Sequence, residues 1–122
     1  MKPTIYYPTK LSEFEIHAQL YSMLREGGID ARGCVPARCL EPDHRTPKTY
    51  LDIVVFSELR TPIVIVECKN RAEDSPNPGK LGTRQLRRYS SFDIPLLICD
   101  RESMIRPIYE QVSALCFDYA GT

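Results

Sequence analysis

The chain has no excess of charge of either sign and no long apolar run. Its 122 residues include 16 basic and 16 acidic side chains, so net charge argues neither for nor against a polyanionic partner, and the placement of charges has to decide. No apolar stretch approaches the roughly 20 residues that a membrane-spanning helix needs. The opening MKPTIYYPTK lacks the apolar core of a secretory leader. No membrane partner and a cytoplasmic location are therefore expected. Paired C-x-x-C spacing is also missing. The five cysteines, Cys34, Cys39, Cys68, Cys99 and Cys116, are odd in number and scattered, which argues against a disulfide framework and predicts reduced thiols. Cys34, Cys39 and His44 make a poor zinc set, because Cys34 and Cys39 on a straight strand point to opposite faces. No repeat, low-complexity segment or linker divides the sequence. With 43% hydrophobic residues it can build one core, so residues 1–122 are expected to form a single domain.

What the chain does have is hydrophobic periodicity. Within residues 12–26, Ile16, Leu20, Met23 and Leu24 recur at three-and-four spacing, with Ser12 as N-cap, Glu15 completing a capping box, and Gly27-Gly28 as the stop. Residues 29–40 read as a strand interrupted by Pro36, at an edge or a bulge. A loop follows over 41–49. YLDIVVF (50–56) and PIVIVECK (62–69) are rich in β-branched residues and separated by SELRT, which predicts an antiparallel hairpin. NRAEDSPNPG (70–79) predicts a loop. A second helix is expected from about Leu81 to Phe92, a strand at PLLIC (95–99), and a last helix from about Ser103 to Leu115. The order helix, strand, strand, strand, helix, strand, helix predicts an α/β fold with a mixed central sheet flanked by helices.

The chemistry concentrates in the hairpin. Asp52 stands among Leu51, Ile53, Val54, Val55 and Phe56, where an ionised carboxylate is costly without a cation or donor beside it. Glu67 and Lys69, two apart at the end of the next strand, project from one face while Cys68 turns away. Paired as a hairpin, the strands bring two carboxylates and a lysine into one pocket. Metal-assisted hydrolysis needs such a set: oxygen ligands for Mg²⁺ or a similar hard ion such as Mn²⁺, and an amine to orient or deprotonate the attacking water. The plain alternative is a structural ion pair at a strand end.

The flanking helices add candidates. Glu13 can sit at the core-facing edge of the first helix as a third carboxylate, whereas its ordinary role would be to improve the charge of a helix N-terminus. His17, one turn on, can reach the same pocket or serve as a satisfied half-buried side chain. On the second helix Gln85 and Tyr89 share a face, with Arg84, Arg87 and Arg88 around them and Lys80 just before. Arginines and a lysine so placed can hold a phosphate backbone, while an amide and a phenol position water or a phosphate oxygen.

These residues resemble the motifs of the PD-(D/E)XK nuclease superfamily. The resemblance rests on Asp52 in LDIVVF, Glu67-Cys68-Lys69 in VIVECKN, a helical Glu in SEFEIHAQL, and QLRRY after the second strand of the hairpin, which looks like the Q-x-x-x-Y motif of the RecB-like branch. It spans about Ser12 to Leu115, although a handful of positions carry it. The resemblance implies a restriction-endonuclease-like core, metal ligation by Asp52, Glu67 and the backbone carbonyl of Cys68, water polarisation by Lys69, and Glu13 completing the acidic cluster. Leu51 stands where the family name has proline, and GCVPAR (33–38) offers no acid where some relatives carry one. The implied activity is metal-dependent hydrolysis of DNA phosphodiesters. A chain this small has little surface for reading base sequence, which favours a structure-selective enzyme of recombination or repair, in the manner of a Holliday-junction resolvase, over a restriction or homing endonuclease. Cutting two strands symmetrically would call for a homodimer. The rival readings are a PD-(D/E)XK-like nucleic-acid clamp or assembly module without cleavage, and an interaction domain with a structural ion pair.

Overall fold

A computed structural model of the protein describes residues 11–41, 49–82, 89 and 92–120. Helix α1 spans Glu13–Glu26. It begins in a reciprocal capping box, in which Ser12 Oγ accepts the Glu15 N–H at 3.1 Å and the Glu15 carboxylate accepts the Ser12 N–H at 3.2 Å. Its apolar stripe buries Ile16, Leu20 and Leu24, each contributing about 1.5–3 kcal/mol by leaving water. The Gly27 N–H closes on the Met23 carbonyl at 3.0 Å, and Gly28 turns the chain at a φ of +80° that L side chains rarely adopt.

Strands β1 (Asp30–Pro36), β2 (Tyr50–Phe56) and β3 (Pro62–Cys68) form an antiparallel meander, and β4 (Leu96–Cys99) lies parallel to β3. The sheet is mixed, in the order β1-β2-β3-β4. The expected hairpin is β2–β3. The Ser57 N–H donates to the Thr61 carbonyl at 2.8 Å across its turn. Strand β1 stops at Pro36 instead of running on to Leu40, because proline has no N–H to extend a ladder, and a 3-10 turn over Ala37–Cys39 follows. After β4 a 3-10 turn over Glu102–Met104 leads into helix α2, Ile105–Ala120. Pro107 falls in the first turn of α2, where a missing N–H breaks no helical bond. The helix continues past Leu115 because no proline or glycine interrupts residues 116–120.

The helix expected over Leu81 to Phe92 falls mostly on residues 83–88, 90 and 91, outside the described residues. The described order is helix, four strands, helix, and it differs from the expected order by that element. Among the described residues no helix is long and apolar enough to cross a membrane.

Both faces of the sheet are covered. On one, Ile53, Val55, Val64, Val66 and Cys68 pack with Ile16, Leu20 and Leu24 of α1 and Ile105, Ile108 and Val112 of α2. On the other, Val54, Ile65 and Ile98 pack with Leu81, Tyr89 and Phe92. Burial on both sides explains why β3 reads as a continuous apolar run from Ile63 to Val66, not an alternation.

Candidate active site

The paired ladder between β2 and β3 reaches Ile53 opposite Val66, and the same register sets Asp52 opposite Glu67. Beyond that last pair side chains take over the hydrogen bonds of the ladder. The Cys68 N–H donates to Asp52 Oδ2 at 2.8 Å, and the Asp52 N–H points to Glu67 Oε1 at 3.4 Å. On the other side of β2, Gly33 pairs with Ile53 and Val35 with Leu51, but Cys34 and Asp52 between them do not pair. Cys34 adopts a φ of +52°. Leu51 and Ile53 pack into opposite clusters, although residues two apart on a regular strand share a face. The strand therefore rotates at Asp52 and turns its carboxylate toward the backbone of β3.

Glu67 meets that carboxylate in a buried position, with 6% of its surface exposed. Burial, then the neighbouring Asp52 charge, pushes the Glu67 carboxyl up to about 7. Hydrogen bonds from the Tyr89 hydroxyl and the Asp52 N–H act against the rise. Two acids thus sit side by side, and burial together with the Asp52 charge favours the protonated form of Glu67. Burial, with Cys99 and the three acids Asp52, Glu67 and Glu13 nearby, raises the Cys68 thiol far above its ordinary range, so it is an inert packing group.

Lys69 follows Glu67 at the rim. Its Nζ lies 3.9 Å from Glu13 Oε1, with side-chain exposures of 28% and 53%. Glu13 is thus joined to the lysine, and among its described contacts it does not complete the carboxylate pair. His17 Nε2 lies 2.8 Å from the Asp52 backbone oxygen. Tyr89 is buried, and its hydroxyl hydrogen-bonds the Glu67 carboxylate. Lys80 is exposed, and its carbonyl accepts a hydrogen bond from Arg71. Arg84, Gln85, Arg87 and Arg88 lie outside the described residues, as does His44. Cys34 and Cys39 are exposed free thiols.

A second acidic centre escaped the sequence reading. Asp100, just past β4, has no exposed surface and accepts hydrogen bonds from Arg101 Nε at 2.9 Å, from Arg101 Nη2 and Arg71 Nη1 at 3.0 Å, and from the Gly79 N–H at 3.1 Å. Burial alone would raise this carboxyl, but the Arg101, Gly79 and Arg71 contacts outweigh burial and hold it below the usual range. Arg101 also donates to the Glu73 and Ser75 carbonyls at 2.8 and 2.9 Å, and the Glu73 carboxylate accepts from the Ser103 backbone N–H and hydroxyl. The polar stretch after Lys69 is thereby pinned to the end of β4 and the start of α2. The signal available in the sequence was an Asp-Arg pair directly after an apolar strand.

The donor set suits a small, hard divalent cation. Asp52 and Glu67 offer oxygen alone, and among the described residues no positive charge stands between them. Among the described residues no group of three or more His, Cys, Asp or Glu side chains converges as a metal site. Water, backbone carbonyls and substrate phosphate would have to complete the coordination, as is usual for Mg²⁺. An apolar cleft lined by Phe56, Leu59, Ile63 and Tyr119 lies at the opposite end of the sheet and has no part in this chemistry. No family model matches the chain, and no characterised protein or solved structure shows significant similarity to it.

Proposed function

We propose that the protein is a metal-dependent nuclease that hydrolyses DNA phosphodiester bonds, built on a restriction-endonuclease-like core of the PD-(D/E)XK kind. The observation that carries this reading is the contact between Asp52 and Glu67. Two carboxylates are held together on adjacent strands, one of them titrating near neutral pH, with Lys69 two residues beyond Glu67 at the rim. A purely structural cluster gains stability by pairing acids with bases, and this one sets acid against acid. The antiparallel meander with a fourth strand parallel to the third supports the same core.

Asp52 and Glu67 would hold a divalent cation, Mg²⁺ or Mn²⁺, which when bound would stabilise charge on phosphate oxygens and make water more acidic. The chain's own groups do the rest. Tyr89 and the Asp52 N–H both donate to Glu67, so its carboxylate stays aimed once the proton has left. Lys69, tethered by Glu13, orients the attacking water and faces the negative charge that builds on the phosphate. A chain of 122 residues has little surface for reading base sequence, which fits a structure-selective role in recombination or repair, with two protomers where both strands are cut.

The test is a panel of labelled DNAs (single strand, duplex, flap, four-way junction, supercoiled plasmid) incubated with Mg²⁺, Mn²⁺ or EDTA. Wild type should cleave at least one of them in a metal-dependent way. Lys69→Ala should lower cleavage by about 10²–10⁴-fold and leave retention on DNA largely intact. A Lys69→Ala protein that cleaves normally sinks the mechanism. A well-folded wild type that binds DNA but cleaves nothing points to a clamp instead.

A further inference from the structure

Asp52 has left the ladder on both sides, so contacts other than ladder bonds have to set its position. Three are present: the Cys68 N–H on its carboxylate, Glu67 on its own N–H, and His17 Nε2 on its backbone oxygen at 2.8 Å. A carbonyl can only accept, so Nε2 carries the proton and donates. His17 is itself held in a column along α1. Its ring stacks on Tyr21 with centroids 6.2 Å apart and planes 5° from parallel. The Arg25 guanidinium lies over Tyr21 at 6.0 Å, and Arg25 Nη1 donates to the Ala31 carbonyl at 3.2 Å. The His17 and Tyr21 rings lie over Gly33, since a Cβ there would stand 3.5 Å from His17 Cε1 and 3.8 Å from Tyr21. The column thus runs beside β1 and ends at the unpaired row of Cys34 and Asp52.

We infer that His17 is a positioning residue: from α1 it holds the Asp52 backbone at the break in the sheet and so fixes the direction in which the Asp52 carboxylate points. The catalytic meaning of this rests on the nuclease reading, while the positioning itself does not. A hydrogen bond to a metal ligand from the surrounding structure orients that ligand, and losing such a contact typically lowers metal affinity or turnover about 10–100-fold. His17 does so through the main chain of Asp52.

The decisive experiment is amide hydrogen exchange on the metal-free protein, comparing wild type with His17→Leu, which has no donor, and His17→Gln, which restores an N–H donor in a helix-compatible side chain. The Cys68 amide, which donates to Asp52 Oδ2, should exchange at least about tenfold faster in His17→Leu and return close to wild type in His17→Gln. The mid-strand Val64 amide should be unchanged in both. Where cleavage is measurable, kcat should fall about 10–100-fold in His17→Leu with KM within about threefold, and recover in His17→Gln. Unchanged Cys68 protection in His17→Leu, or equal loss in both variants, overturns the inference. If wild type cleaves no DNA, the nuclease reading falls, and the exchange result still decides the role of His17.

Discussion

Asp100, just past the end of β4, is fully buried and accepts four hydrogen bonds, three of them from arginines. Glu67, one strand away on β3, is almost as buried, and its nearest charged neighbour is another acid, Asp52. Desolvation favours the protonated form of both carboxylates. At Asp100 the surrounding cations more than offset that cost and push the carboxyl down; at Glu67 no cation among the described residues offsets it, and the carboxyl rises to about 7. One cluster closes a loop onto the sheet. The other sets acid beside acid, the arrangement on which the proposed metal site rests.

Mutations at the two carboxylates should shift stability in opposite directions. Asp100→Ala strands two arginines and should cost about 3–5 kcal/mol of stability, read by urea denaturation; a loss below about 1 kcal/mol would mean that the cluster is not structural. Glu67→Gln should act in the opposite direction. Because the folded Glu67 prefers its proton, wild type is not penalised below its ordinary value of 4.5 and loses stability as the pH rises through about 7. At pH 8 the substitution should therefore stabilise the metal-free protein by an amount on the order of 3 kcal/mol, while lowering cleavage by about 100-fold or more. Denaturation at pH 5 and pH 8 checks the sign, because the variant should lack the alkaline loss. Asp100 predicts the reverse slope in wild type: its contribution is present above its ordinary value of 3.8 and disappears as acid protonates it. The smallest effect belongs to Glu13→Gln. Its pair with Lys69 is long and half exposed, so stability should move by less than about 1 kcal/mol, and only cleavage should register the freed lysine.

Much of this was readable from residue order. The capping box and the three-and-four spacing of Ile16, Leu20 and Leu24 announce α1, because both are local signals. The β-branched runs announce the β2–β3 hairpin for the same reason. Asp52, Glu67 and Lys69 stood out because charge is rare in such runs, but the way they meet was not legible. Strict alternation would set Asp52 on one face, whereas the strand rotates opposite Cys34, a residue type that does not advertise a positive φ. Glu13 was expected among the acids, and its pairing with Lys69 could not be read in advance, since a helix stripe indicates a direction and not a partner. The Asp100 cluster joins residues 71–80 to the end of β4 through contacts far apart in sequence, and no local period reports such contacts.

The central claim is that Asp52 and Glu67 together support metal-dependent DNA hydrolysis. Nicking of supercoiled plasmid by wild type and by Asp52→Asn, across a Mg²⁺ titration with an EDTA control, tests it most directly. Activity that rises with Mg²⁺, vanishes in EDTA and is lost in Asp52→Asn while the fold is kept is the predicted result. Nicking that persists in EDTA, or equally in Asp52→Asn, would contradict it.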